Sequence, residues 1–440
     1  MLIKQAQSFF SEWLSDKHLP DFLERDLPPI ALSRLNEVLA LIGPRRSGKT
    51  YYLFQLIRQL EQQGILREEI LYADFDDMRL SETLPGDFPA LIAAFSQVSG
   101  KPPRYLFLEN IQRFPDWPKL LRNLYDHGIY RIIVTGCRLD MLSGAKLPEL
   151  QGRYSARLLL PLSFREALRF KGIYYTSKTV YSTGKGRLLH AFDDYLREGG
   201  FPEVVRRSTL REKRNIIQNY YRHFFFRDML ELHSIKSKNI LEKIMSYCMQ
   251  AHSELFSISA FTEQLKHHIP GASKKTVSAY LNYLRDLFFL ILNEKYSPTS
   301  NKRVMNPKKA FLIDTGFSSL FLPAGENGRR LLQNSVAVEL MRREAESYYF
   351  KQTHACDFLI RQSGQTQAIQ VLWEVNPTIK GVEFKGLLEA IRTFRLKEGL
   401  ILTYDQEDEL RWKGTVIRVQ PVWKWLLGWS DASFLKNLVT

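Results

Sequence analysis

The sequence predicts an α/β protein built on a parallel β-sheet, and two observations carry that reading. Short apolar runs at residues 37–42, 70–74, 105–108, 132–135 and 157–160 are separated by mostly helical stretches, and alternating βα units imply parallel strands in a three-layer arrangement. The first run leads directly into Gly43-Pro44-Arg45-Arg46-Ser47-Gly48-Lys49-Thr50 and then into a helical stretch through residue 62. Strand, glycine-bounded loop and helix in that order are the context of a phosphate-binding loop.

Each part of that unit has a physical reason. Residues 37–42 read Glu-Val-Leu-Ala-Leu-Ile, a run suited to a strand buried on both faces. Gly43 and Gly48 let the backbone curl round a phosphate without an intervening Cβ. Inward N–H groups and the following helix N-terminus favour an anion. Lys49 would reach the β- and γ-phosphates and the Thr50 hydroxyl would ligate Mg²⁺. Tyr52, Leu53, Leu56, Ile57 and Leu60 share one side of the helix that follows. The candidate nucleotide-binding residues are therefore Gly43 through Thr50, with Tyr51 beside them.

The third strand ends in Glu109-Asn110. Nucleotide motors carry two acids here, one for the Mg²⁺ shell and one for the attacking water. Glu109 can serve the metal, directly or through water. Asn110 can orient a water but cannot accept its proton, and losing a general base typically costs about 10²- to 10⁴-fold. Slow hydrolysis, recruitment of another acid such as Asp74, Asp76 or Asp77, and nucleotide binding without useful turnover all stay open. Thr135, at the end of the fourth strand, is read either as the polar group that senses the γ-phosphate or as part of a plain strand end. Arg153 precedes the fifth strand and is read either as an arginine finger for a neighbouring subunit of a homo-oligomer or as a surface arginine. Glu109, Asn110 and Arg153 are the candidate catalytic residues.

At 440 residues the chain has room for two to four domains. Lys plus Arg is 62 against 47 for Asp plus Glu, a net charge of +15, and so basic a chain points to a polyanion, nucleic acid first. No run approaches the ~20 apolar residues of a membrane span, and the start lacks a signal-peptide pattern. A cytoplasmic protein with no membrane partner is expected. Cys137, Cys248 and Cys356 lie far apart, which suits reduced core thiols rather than a metal site.

Further along, residues 8–14 read as a helix and Pro28-Pro29 as a turn. A helical, aromatic-rich stretch runs from 161 to 233, broken at Gly199-Gly200-Phe201-Pro202. Residues 256–265, a turn at 270–273 and a helix from Lys274 to 290 have helix-turn-helix punctuation, with Ser273 as N-cap. Lys274, Lys275 and Tyr280 are expected on the exposed face that meets the DNA groove. The stretch from Lys295 to Lys309 contains Lys302, Arg303, Lys308 and Lys309 and no acid, so it reads as a basic wing contacting phosphates. Beyond a boundary at 325–328, helix 331–346, strands 348–351, 357–361 and 367–371, helix 383–395 and strand 399–402 form an αβββαβ run.

An ordered series of phrases adds a resemblance. Gly43-Pro44-Arg45-Arg46-Ser47-Gly48-Lys49-Thr50 comes first. Leu106-Phe107-Leu108-Glu109-Asn110-Ile111-Gln112 follows with Pro115 and Trp117, then Val134-Thr135-Gly136 and Leu160-Pro161-Leu162-Ser163-Phe164-Arg165-Glu166. Gly199-Gly200-Phe201-Pro202-Glu203-Val204, Phe226-Arg227-Asp228 and Leu312-Ile313-Asp314-Thr315-Gly316 complete it. The chain resembles, over nearly all of its length after residue 30, the AAA-type P-loop ATPases of bacteria and archaea that carry a winged-helix segment and a restriction-endonuclease-like C-terminal domain. The resemblance implies an AAA-like core with a helical lid, ATP with Mg²⁺ as cofactors, and a role coupled to DNA. The family's acid pair is Asp-Glu, so Glu109-Asn110 departs from it and bears on hydrolysis rather than binding. The related nuclease site uses a helix Glu, a strand Asp and a Glu-x-Lys on the next strand. Here those positions read Gln333, Asp357, Gln370 and Leu372, a set that cannot readily hold Mg²⁺ and activate water. Glu374 would rescue one ligand only if its strand ran that far.

The expected organisation is an N-terminal helical segment (1–30), the ATPase core (31–165), a helical lid (166–235), a winged-helix segment (236–325) and a degenerate nuclease-like domain (326–440). The expected function is a weakly hydrolytic Mg-ATP-binding ATPase coupled to DNA. The alternative is a nucleotide-gated DNA- or protein-binding regulator without significant hydrolysis.

Overall fold

A computed structural model describes the chain except residues 1, 17, 29, 84, 144–146, 177, 180–181, 232, 234, 299–305, 322–326, 363, 376–382, 413 and 429–440. Lys302 and Arg303, Pro29 of the expected turn, and residues 325 and 326 of the expected boundary at 325–328 lie outside the described residues. The chain forms two compact units, residues 1–160 with 286–288 and residues 161–285 with 289–440.

The first unit contains α1 (Leu2–Ser15), β1 (Val38–Ile42), α2 (Lys49–Gln62), β2 (Ile70–Asp74), α3 (Phe88–Ser99), β3 (Tyr105–Glu109), α4 (Trp117–Asp126), β4 (Arg131–Gly136) and β5 (Tyr154–Leu158). Its five strands are parallel and ordered β2-β3-β4-β1-β5. β1 and β3 are buried along their whole length, which is why both read as unbroken apolar runs. The apolar side of α2 is buried as expected: Tyr52, Leu53, Leu56, Ile57 and Leu60 sit in one core with Leu39, Leu41, Ile70, Tyr105 and Phe107. Each such side chain contributes about 1.5–3 kcal/mol of burial. The N-terminal helix belongs to the same unit, with Phe10 edge-on to Phe95 of α3 at 5.3 Å.

The second unit opens with α5 (Phe164–Phe170), α6 (Gly184–Glu198), α7 (Pro202–Val205), α8 (Leu210–His223) and a π-helix (Phe224–Glu231). A reciprocal cap starts α5. The Ser163 hydroxyl accepts from the Glu166 backbone N–H at 3.2 Å, and the Glu166 carboxylate accepts from the Ser163 N–H at 2.8 Å. Then follow α9 (Lys238–Gln250), β6 (Leu255–Phe256), α10 (Ile258–Lys266), α11 (Lys274–Asp286), β7 (Leu290–Lys295), β8 (Lys308–Leu312), α12 (Gly328–Arg342), β9 (Glu346–Lys351), β10 (Ala355–Gln362) and β11 (Gln365–Val371). α13 (Glu383–Phe394), β12 (Glu398–Thr403), β13 (Asp408–Trp412), β14 (Thr415–Pro421) and α14 (Val422–Leu426) complete the unit.

One nine-stranded sheet runs through this unit in the order β13-β14-β12-β11-β10-β9-β7-β8-β6. β7 pairs in parallel with β9 through Glu294–Tyr348 and Lys295–Tyr349. Residues on both sides of 325/326 thus share one sheet, and Leu188, Phe192 and Leu196 of α6 share a core with Phe311, Val336, Ile360, Val371 and Trp423. Two distant glycine phrases meet here as well. The buried Asp314 carboxylate accepts from Gly200 N at 2.7 Å and from Gly316 N at 2.9 Å. Burial pushes its pKa up to about 7, against the pull of those two N–H groups. Among the described residues, no helix is long and apolar enough to cross a membrane.

Candidate nucleotide site

β1 ends at Ile42 and delivers the phosphate loop to the C-terminal edge of the first unit's sheet. Arg46 and Gly48 adopt positive φ of 67° and 97°, which lets the loop turn back on itself. Gly43 has a further constraint: a Cβ there would lie 2.0 Å from the Leu159 carbonyl oxygen. Arg25, missed in the sequence reading, braces the loop from behind. Its guanidinium is buried and donates to the Ser47 carbonyl at 2.7 Å and the Leu160 carbonyl at 2.8 Å. Lys49 is buried, and its ammonium donates to the Gly43 carbonyl at 2.9 Å and the Pro44 carbonyl at 2.8 Å. Tyr51 is half-exposed, edge-on to Phe54 at 6.2 Å.

Glu109 ends β3 and faces this loop. The Thr50 hydroxyl donates to its Oε1, and the Tyr72 hydroxyl donates to its Oε2 at 2.6 Å. Burial, followed by the neighbouring Asp74, pushes the Glu109 pKa up to about 7, while the Thr50 and Tyr72 hydrogen bonds and the Lys49 charge pull it down. The donor set suits Mg²⁺. One hydroxyl and one carboxylate are hard oxygens already in contact, and Mg²⁺ commonly completes its shell with water and substrate phosphates. Tyr72 was not singled out from sequence. It belongs to an aromatic group with Phe9, Trp13 and Phe54, so α1 supports the carboxylate indirectly.

Asn110 has a φ of 56°. Its backbone N–H donates to the Thr135 hydroxyl at 3.0 Å, and its side-chain amide donates to Asp74 Oδ1 at 2.9 Å. Thr135 is fully buried, so its hydroxyl ties β3 to β4. Asp76 receives Arg45 at 2.9 Å and Arg113 at 3.0 Å.

Arg153 is not brought to this site. It precedes β5, and its carbonyl accepts from Val38 N at 2.7 Å at the opposite end of the sheet. Its guanidinium meets Asp126 at 3.3 Å. A strand's N-terminal end lies on the far side of a parallel sheet from the phosphate loop, which separates the two.

Three of the residues expected to meet DNA are held by contacts within the chain. Tyr280 is 4 % exposed and its hydroxyl accepts from Ser237 N at 3.1 Å. Lys309 is 8 % exposed and donates to Asp357 Oδ1 at 2.7 Å. Lys308 is paired with Glu294 at 2.6 Å. Packing claims Tyr280, and an acidic partner holds each of the two lysines. Lys274 and Lys275 are exposed at the start of α11, where Ser273 accepts from Thr276 N at 3.1 Å as the expected cap.

Gln333, Asp357 and Gln370, read as counterparts of nuclease ligands, do converge. Gln333 donates to Asp357 Oδ1 at 2.9 Å. Gln370 and the Val371 N–H donate to Oδ2 at 2.8 and 2.9 Å. With Lys309, every contact among the described residues supplies a donor or a positive charge, and none of these supplies a second metal ligand. Leu372 is buried among Phe350, Phe384 and Leu387. β11 ends at Val371, so Glu374 is exposed beyond the strand and offers no rescue.

Comparison with known proteins agrees with the first unit's architecture. A family described as "AAA domain" matches residues 35–168, and a domain of unknown function (DUF8612) matches residues 189–327. The uncharacterized protein MJ1544 of Methanocaldococcus jannaschii is 30% identical over 404 residues, covering 89% of this chain and 88% of that protein. An uncharacterized protein of Haemophilus influenzae is 27% identical over 341 residues, covering 77% and 83%. The solved structure titled "the Walker-type ATPase PABY2304 of Pyrococcus abyssi" is similar at a TM-score of 0.37 and 13% identity, covering 71% of this chain and 95% of that one. The chain belongs to the family that includes MJ1544 of Methanocaldococcus jannaschii, and it carries an AAA domain with a P-loop of the nucleotide-binding ATPase type.

Proposed function

We propose that the protein is a Mg²⁺-dependent AAA-type ATPase that binds ATP, hydrolyses it slowly and couples it to DNA. The observation that carries this reading is the Lys49, Thr50 and Glu109 arrangement. A buried ammonium lies inside a glycine-shaped loop, and the loop's hydroxyl bonds the carboxylate that ends β3. The chain's own residues bind the phosphates, orient the nucleotide and hold the oxygens that Mg²⁺ takes up. When bound, that ion would neutralise charge developing on the phosphates.

Two features support the DNA half. The chain carries a net charge of +15. The order α9-β6-α10-α11-β7-β8, with β6 and β7 both antiparallel to β8, suits a winged helix-turn-helix. Lys274 and Lys275 would then enter the groove from the N-terminal end of α11. The order α12-β9-β10-β11-α13-β12 suits a nuclease-like domain, and the donors crowding Asp357 support its inertness. A second reading, a nucleotide-gated regulator without turnover, is favoured by Asn110 standing where a second acid is usual.

Calorimetric titration with Mg-ATP, and phosphate release with and without duplex DNA, test the proposal on wild type and Lys49→Ala. DNA-stimulated release that Lys49→Ala abolishes is the expected result. Binding without release selects the regulator. Absence of heat with Mg-ATP overturns both.

A further inference from the structure

We propose that Asp74 is the general base of ATP hydrolysis, taking the role that Asn110 cannot fill. This rests on the ATPase reading above and extends it to a named residue. β2 and β3 run parallel with Asp74 directly opposite Glu109. Both residues end their strands at the C-terminal edge, the edge that carries the phosphate loop. Side chains in register on adjacent strands share a face, so the two carboxylates stand side by side. The acids that usually follow one another along one strand are here divided between two.

Hydrogen bonds single out Asp74 and orient it. Asn110 Nδ2 and the Asp76 backbone N–H both donate to Asp74 Oδ1, each at 2.9 Å. Oδ2 receives no bond among the described residues, and the side chain is only partly buried. One oxygen is anchored by two donors, and the other is left for a water to approach. Asn110 thus acts as a positioning residue for the acid beside it.

The neighbouring acids are committed elsewhere. Asp76 is paired with Arg45 and Arg113. Asp77 is held by Arg79 at 2.8 Å, which lowers its pKa. Glu109 is occupied by Thr50 and Tyr72. In the reaction, a water oxygen bonds to the γ-phosphorus and its proton passes to Asp74 Oδ2. The bond from the γ-phosphorus to the bridging oxygen breaks, and its electron pair leaves on ADP. Asp74 then returns the proton to solvent.

The test uses the full chain, with Mg-ATP affinity, Mg²⁺ midpoint and single-turnover phosphate release measured for wild type, Asp74→Asn, Asp74→Glu and Asn110→Ala. Asp74→Asn should keep ATP affinity and the Mg²⁺ midpoint within about threefold while the release rate falls about 10²- to 10⁴-fold. Asp74→Glu, which keeps a carboxylate, should recover part of that rate. Asn110→Ala should lower kcat by about tenfold with KM unchanged, because one of two orienting donors is gone. Comparable release by Asp74→Asn and wild type would overturn the proposal. A shifted Mg²⁺ midpoint with the saturated rate preserved would also overturn it, making Asp74 a metal-shell residue. Wild type that binds Mg-ATP but releases no phosphate sinks this inference and leaves nucleotide binding intact. Wild type that binds no Mg-ATP sinks the parent reading with it. If Asp74→Asn does not fold, the Asp74→Glu and Asn110→Ala rates decide alone: both equal to wild type refutes the assignment.

Discussion

Replacing Lys309 with Met removes an ammonium and leaves a side chain of similar reach. In the wild type that ammonium lies 2.7 Å from Asp357, and their side chains are 10% and 7% exposed. The variant leaves Asp357 with N–H donors from Gln333, Gln370 and Val371 at 2.8–2.9 Å and Arg329 at 4.0 Å. Breaking a buried ion pair by deleting one partner costs about 3–5 kcal/mol, because the other charge is left behind. Three N–H donors blunt that cost, so about 3 kcal/mol is expected. For a unit of this size each kcal/mol moves Tm by about 2 °C, giving a fall of about 6 °C. Scanning calorimetry reads the shift. Lys309→Met with Asp357→Asn should recover most of it, because no buried charge is then left. Fluorescence anisotropy below the transition should show unchanged affinity for duplex DNA. A Lys309→Met protein with wild-type Tm and weakened DNA binding would refute the reasoning, since that is how an exposed phosphate-contacting lysine behaves.

Four other outcomes are expected. Gly43→Ala forces a Cβ to within 2.0 Å of the Leu159 carbonyl, so calorimetry should show ATP affinity at least about tenfold weaker and stability down by about 1–3 kcal/mol. Asp314 has its folded pKa raised from 3.8 to about 7, so the native state binds the extra proton between those values. Its contribution is full below the lower value and is lost as pH rises through the upper one, by on the order of 1 kcal/mol per unit. Urea unfolding across that window should therefore show wild type losing stability relative to Asp314→Asn. Lys274→Gln with Lys275→Gln should lower the magnitude of the salt slope of DNA affinity by about 2, with Tm unchanged; an unchanged slope would remove α11 from the interface. Tyr280→Phe should lower stability by about 1 kcal/mol, by leaving Ser237 N without its acceptor, and should leave DNA affinity alone.

What could be read from sequence divides along a physical line. β1 to β4 were legible to within a residue or two because their burial makes them apolar runs. β5 lies at the sheet edge, and its first residues, Tyr154, Ser155 and Ala156, are only partly buried, so the apolar signal began late. β13, Asp408–Trp412, has no buried residue and carries no such signal. Tyr280 was legible and misread. It falls on the helical face of Val277, Leu281 and Leu284, all buried, and periodicity outweighs the affinity of an aromatic hydroxyl for DNA. Lys309 was not legible, because the acid that buries it lies 48 residues away and pairing at that distance leaves no local trace.

The divided acid pair shows why a motif can look broken in sequence while its parts are present in space. A phosphate-loop motif is local, since one strand, one turn and one helix supply all of it. The water-activating acid has no such need, because every strand of a parallel sheet ends at the same edge. Residues at the strand ends are neighbours wherever they lie along the chain. Here Ile42, Asp74, Glu109 and Gly136 each end a strand, and the pairings β1–β4, β3–β4 and β2–β3 bring them to one edge. Reading Glu109-Asn110 as a lost acid assumes that the second acid must follow the first along the chain. Reading the strand ends as one row places a carboxylate beside Glu109, with the asparagine's amide donating to it.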